Sequence, residues 1–134
     1  MKESIDAEKI AEHWINTSDK DFQTMEHLYK SKDYNWALFM GHIVIEKLLK
    51  ACVTKATRQH APPLHDLLRL ANLAKIELTP EYTDWLDVLT TFNLNTRYDN
   101  YKQDFYKKCT PEFTDEWINR IHTLRTWIKQ TQLS

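Results

Sequence analysis

A chain of 134 residues, 28% charged and 12% aromatic, can bury roughly two-thirds of its unfolded surface and is too rich in core-forming side chains to be disordered. One glycine and four prolines are too few for the turns of a sandwich or barrel. A net charge of −1 supplies no overall field for nucleic acid or anionic lipid. The expectation is a single helical domain over residues 1–134.

The N-terminus, MKESIDAEKIAEHW, lacks the apolar core of a signal peptide. A first helix begins near Ser4 or Asp6 and runs to about Lys30. Ala7, Ile10, Ala11, Trp14, Ser18, Phe22, Met25 and Tyr29 follow helical spacing. Asn16-Thr17-Ser18 is a weak centre at which this helix could bend. Ser31-Lys32-Asp33 is a short link with Asp33 as N-cap, and so short a link forces antiparallel packing.

The second helix, Tyr34 to about Lys55, is the longest nearly unbroken apolar stretch and organises the chain. His42, Glu46, Lys47 and Lys50 interrupt it, so no membrane span is expected, and a cytoplasmic location is the default. Gly41 in its middle costs about 1 kcal/mol against alanine. Close approach of another backbone in a bundle is the structural reason to keep it, and contact with a ligand or a second subunit is the alternative. Cys52 reads as a small buried hydrophobe, and Cys52 with Cys109 makes neither a disulfide framework nor a zinc spacing.

Arg58–Pro63 is a loop, because Pro62 and Pro63 bar the helix from continuing. A third helix is expected from His65 to about Lys75. Thr79-Pro80-Glu81 starts a fourth, with Tyr82, Trp85, Leu86, Leu89 and Phe92 at core spacing. The state of Asn93–Cys109 does not follow from its pattern. Thr110-Pro111-Glu112 opens a last helix to about Gln130. The fold class is all-α, an antiparallel up-and-down bundle of about five helices.

Glu46 falls on one side of the second helix with Phe39, His42, Ile43, Leu49 and Val53. A carboxylate against a core needs a partner or a proton. It is paired with Lys47, Lys50 or a base from another helix, or it is a functional acid, or it is simply exposed. His42 and Glu46 stand at i, i+4, but two ligands without a third make a poor metal site, so no metal is expected. His65 or Asp66 caps the third helix. Arg97-Tyr98-Asp99, with Asn93 and Asn95 upstream, is the polar cluster most like a site. Arg97 either offers a fork for phosphate or carboxylate, or pairs with Asp99, Asp66 or Glu46, and Tyr98 or Tyr101 could stack on a base. Trp36–His60 carries four basic residues against one acid, and Thr96–Cys109 four against two. If both stretches shared a face they would form a modest anion site. Nucleophile motifs are absent, and one glycine cannot build a phosphate loop.

Three segments, in order, resemble one family. Val44-Ile45-Glu46-Lys47-Leu48-Leu49-Lys50-Ala51 resembles the second-helix segment of HEPN domains (higher eukaryotes and prokaryotes nucleotide-binding). Pro62-Pro63-Leu64-His65-Asp66-Leu67 resembles the family's proline loop and His-Asp-Leu. Arg97-Tyr98-Asp99 resembles its Arg-Tyr-Pro-Asp, without the proline. The resemblance covers nearly the whole chain. It implies a helical bundle, commonly dimeric, often encoded beside a minimal nucleotidyltransferase in two-component or toxin–antitoxin systems. Active members are similar to metal-independent endoribonucleases with an Arg-x(4–6)-His motif. Here Lys102, Gln103 and Asp104 occupy the positions where that histidine would fall. Arg58 and His65 satisfy the count, but at an earlier place than the family's motif, which reads as coincidence.

The leading expectation is therefore a non-catalytic or weakly active HEPN-like module without cofactor. It would bind a nucleotide, an RNA or a partner nucleotidyltransferase through Arg97, Tyr98, Asp99, Glu46, Lys47 and Lys50. The alternatives are a metal-independent ribonuclease with an atypical site, for which Arg97 and His65 are the candidates, and a structural homodimerisation module.

Overall fold

The computed structural model describes residues 5–134, the side chains of residues 99 and 100 excepted. Among the described residues there are six helices and no strand: α1 Ala7–Lys30, α2 Tyr34–Thr57, α3 Leu67–Leu73, α4 Pro80–Arg97, α5 Asp99–Lys108 and α6 Pro111–Thr131. Glu8 meets Arg58, Ser18 meets Val44 and Tyr29 meets Tyr34, so α1 and α2 are antiparallel. By the same reading, Tyr29 reaches Asp115 and Asp19 reaches Arg125, while Tyr82 packs on Trp127 and Phe92 on Phe113. Thus α6 runs opposite to both α1 and α4. The long helices alternate up and down, with α3 and α5 as short pieces between them.

Local chemistry accounts for most boundaries. The side chains of Asp6, Thr79 and Thr110 each accept from a backbone N–H three residues on, at 3.1, 3.1 and 3.2 Å, satisfying orphan donors of α1, α4 and α6. Asp33 occupies the N-cap position of α2, but its side chain makes no cap hydrogen bond. The turn before it is closed by backbone alone, with Lys32 in the left-handed region (φ 63°) and Asp33 N–H donating to Leu28 O at 2.9 Å. Helix α1 continues through Asn16-Thr17-Ser18, where the fully buried Ser18 hydroxyl donates to the Val44 carbonyl of α2 at 2.9 Å.

Helix α2 is the axis of the bundle. It touches every other helix, and its side chains from Val44 to Thr54 are almost all buried. The segment whose state the pattern left open divides in two. Helix α4 continues to Arg97, and α5 follows with Phe105 inserted beside Phe92 at 5.1 Å. Phe92 also meets Trp117 at 5.3 Å, which ties α4, α5 and α6 into one aromatic cluster. Helix α3 is shorter than the pattern suggested and starts at Leu67 rather than His65, because Asp66 is its cap.

Gly41 is required by a side chain rather than by a backbone. A Cβ there would collide with the Ile121 Cδ1 of α6 and lie 3.3 Å from the Met25 sulfur of α1. All three residues are buried, so the neighbours have little room to move. Gly41→Ala gains about 1 kcal/mol of helix propensity and incurs an overpacking cost of about 1–3 kcal/mol. Denaturant unfolding should show net destabilisation. Ile121→Val, which removes the colliding methyl, should cost about 1 kcal/mol in the parent and nothing further in the Gly41→Ala background.

Candidate functional site

The loop after α2 is fastened at both ends. The Leu67 N–H donates to Thr90 Oγ1 of α4 at 3.1 Å, and that hydroxyl donates to the Leu86 carbonyl at 2.9 Å. Asp66 Oδ1 accepts from the Arg69 N–H at 3.3 Å. On the α2 side, His42 Nε2 donates to the His65 carbonyl at 3.0 Å. His65 is thereby held between α2 and α4 at a defined height along both.

Its side chain is held too. Glu46 is 5% exposed, and its Oε1 lies 2.8 Å from His65 Nδ1 while its Oε2 lies 3.1 Å from Lys50 Nζ. Lys50 is also buried and lies 5.3 Å from the Trp14 ring centre, so the carboxylate charge is met by a cation that is itself packed. His65 Nδ1–H facing a carboxylate sets the tautomer, which leaves Nε2 as the second nitrogen of a ring whose side chain is 53% exposed.

A cleft of about 320 Å³ opens at this histidine. His65 and Asp66 form one wall, and Thr90, Asn93, Leu94, Arg97 and Tyr98 form the rest. Asn93 is 6% exposed, and its amide nitrogen has no hydrogen-bond partner, an arrangement that is costly unless something in the cleft accepts from it. Arg97 is exposed, with its guanidinium 5.6 Å from the Phe39 ring centre. Among the described side chains no carboxylate pairs with it. The Asp99 side chain, placed beside it in the sequence reading, lies outside those described.

The structure separates some candidates that the sequence grouped. Lys47 pairs with Asp21 of α1 at 2.6 Å and Lys50 with Glu46, and neither lines the cleft. Arg58 pairs with Glu8 at 2.6 Å rather than with His65. Lys102 lies over Trp36 and Lys108 over Phe113, at 5.6 and 5.4 Å. Each of these cations is engaged by a neighbour, and none of Lys47, Lys50, Lys102 and Lys108 lines the cleft. What gathers at the cleft is Arg97, Tyr98 and His65, with Glu46 behind the histidine. Asn93 was noted in the sequence only as a neighbour of Arg97. It falls four residues after Leu89 on the buried side of α4, so the helical spacing itself was the signal for its burial.

A second cleft, of about 410 Å³, is lined by Tyr82, His122, Thr123, Thr126, Trp127 and Gln130. Its histidine is already engaged by Glu26 at 2.5 Å, and no other ionisable side chain apart from Tyr82 faces it. Polar groups converge better at His65.

His42 has a different task. Burial pushes its pKa below the usual imidazole value, although the His65 carbonyl and Glu46 pull upward. It is a neutral donor that positions the loop. The unfolded chain takes up a proton at His42 below about pH 6.5 and the folded chain resists it. His42 therefore lowers stability as pH falls through that value and contributes no pH dependence above it. In denaturation series from pH 7.5 to 5, His42→Gln, which keeps a donor, should flatten the acid-side slope relative to the parent by up to about 1.4 kcal/mol per pH unit.

No curated protein and no solved structure matches the chain. The model of the HEPN domain family matches residues 11–131. With an all-helical bundle around α2 and a match that covers nearly its full length, the chain belongs to the HEPN domain family.

Proposed function

We propose that this HEPN module binds a phosphate-bearing ligand, a nucleotide or a segment of RNA, in the cleft between His65 and Arg97. One observation carries the reading: a buried, unpartnered amide donor at Asn93, the planar cation of Arg97 and an oriented imidazole at His65 line the same cleft. Arg97 supplies the fork that matches phosphate oxygens. Tyr98, 56% exposed at the rim, supplies a face for a base. Glu46, Lys47 and Lys50 act outside the contact, Glu46 and Lys50 by holding His65 and Lys47 by joining α2 to α1.

Titration with AMP or a short fluorescent oligoribonucleotide should give saturable binding that weakens at least tenfold in Arg97→Ala, as expected from loss of a charge-assisted contact worth about 1.5–3 kcal/mol. Lys20→Ala, an exposed change on α1, should leave affinity unaltered. Equal affinity in the parent and Arg97→Ala would remove the reading.

A second reading concerns partners. Trp36, Leu94, Tyr98 and Tyr101 are each more than two-fifths exposed. Trp36 is bridged to α5 by Lys102, and Leu94 and Tyr98 border the cleft. Large apolar side chains grouped at one end of a bundle favour a protein contact, and a second copy of this chain is the occupant proposed, with a nucleotidyltransferase as the other candidate. Light scattering should give a dimer mass that Trp36→Glu converts to monomer. A parent that is monomeric at every concentration would leave a heterologous partner as the occupant.

A further inference from the structure

A third cleft, of about 300 Å³, lies between the turn that joins α1 to α2 and the last turn of α5. It is lined by Lys32, Tyr34, Asn35, Tyr106, Lys107 and Cys109 and shares no residue with the cleft at His65. Both walls are held from behind. The Tyr34 ring packs on Tyr29 at 6.1 Å, and Phe105, one turn before Cys109, packs on Phe92 at 5.1 Å. The backbone of Lys32 is fixed by the tight turn in which its φ is 63° and the next N–H, that of Asp33, donates to Leu28 O.

Asn35 is 8% exposed and lines this cleft, and its side chain forms no hydrogen bond among the described residues. An amide withdrawn from water without a protein partner is unfavourable unless something in the cleft meets it. The backbone beside it has the same need. Asp33 makes no side-chain cap hydrogen bond, and the first N–H of α2 with an intrahelical acceptor is that of Ala37, bonded to Asp33 O at 2.9 Å. The N–H groups of Tyr34, Asn35 and Trp36 are left without one. Lys32 and Lys107 bring two exposed cations to the same place, neither of them ion-paired among the described residues, and no carboxylate lines the cleft. Cys109 adds no charge, because burial pushes its thiol up to about 12. Two point cations beside a buried amide and a helix N-terminus suit an oxyanion that carries more than one negative charge.

We propose that this cleft is a phosphate-binding site, separate from the one at His65 and Arg97. Lys32 and Lys107 balance the charge, while the Asn35 amide and the first-turn N–H groups of α2 bond the oxygens. The ligand is a small phosphomonoester, whose two negative charges match the two lysines. Tyr106, 67% exposed at the rim, offers a ring face to the group that carries the phosphate. The proposal does not depend on the reading of the His65 cleft.

The test uses the full chain carrying Arg97→Ala, which removes the cation of the other cleft, labelled with nitrogen-15 and titrated with inorganic phosphate at constant ionic strength. The Asn35 side-chain amide and the backbone N–H signals of Tyr34, Asn35 and Trp36 should shift and saturate. Lys32→Gln combined with Lys107→Gln, both at exposed positions, should weaken that binding about tenfold, as expected for lost charge-assisted contacts. Lys20→Gln, on the exposed side of α1, should leave it unchanged. AMP should bind at the same signals more tightly than phosphate alone, and a short oligoribonucleotide without terminal phosphates more weakly than AMP. Shifts that do not saturate, or that sodium chloride reproduces, would overturn the site. Unchanged affinity in the double lysine variant would overturn it too. Tighter binding of the oligoribonucleotide than of AMP would overturn the phosphomonoester assignment.

Discussion

Glu46 sets the arrangement around it. A carboxylate 5% exposed in the central helix of a bundle is unfavourable unless its charge and lone pairs are met. Lys50, one turn on, meets one oxygen, and His65, brought by a loop nineteen residues away, meets the other. The loop in turn is held by His42 from α2 and by Thr90 from α4. A single buried charge thus fixes the distance between α2, the start of α3 and the second half of α4, and these elements form the walls of the cleft.

The rest of the bundle keeps that geometry stiff. Gly41 lets Ile121 pack into the middle of α2, the Ser18 hydroxyl bonds across to Val44, and Phe92 gathers Phe105, Phe113 and Trp117. Arg125 and Lys129 of α6 share Asp19 of α1 at 3.1 and 2.9 Å, lowering the Asp19 pKa even though its partial burial acts to raise it. These contacts lie away from the cleft and carry no chemistry of their own. Their effect is that side chains at the cleft are mounted on helices that cannot shift independently.

Much of this is legible in the sequence. Start signals at Asp6, Thr79-Pro80 and Thr110-Pro111 state a local hydrogen-bond need, so they located helix ends. The apolar run of α2 could only be central. The family followed from short motifs that keep their order. What escaped were relations between distant residues. Nothing local says that Glu46 pairs with His65 as well as with Lys50. Counting charges carries no direction: Lys47 turns to α1 and Arg97 to the cleft. Helix α5 was unreadable because its single buried aromatic, Phe105, is anchored by a neighbour thirteen residues earlier.

The central claim is that Glu46 holds His65 as the Nδ1–H tautomer with Nε2 offered to a phosphate ligand. Nitrogen-15 NMR of the imidazole rings reads this directly. At neutral pH His65 should show a protonated Nδ1 and an Nε2 resonance that moves on addition of AMP, while His122, paired with Glu26 elsewhere, stays in place. A folded chain in which His65 carries its proton on Nε2, or in which that resonance ignores saturating AMP, would contradict the account.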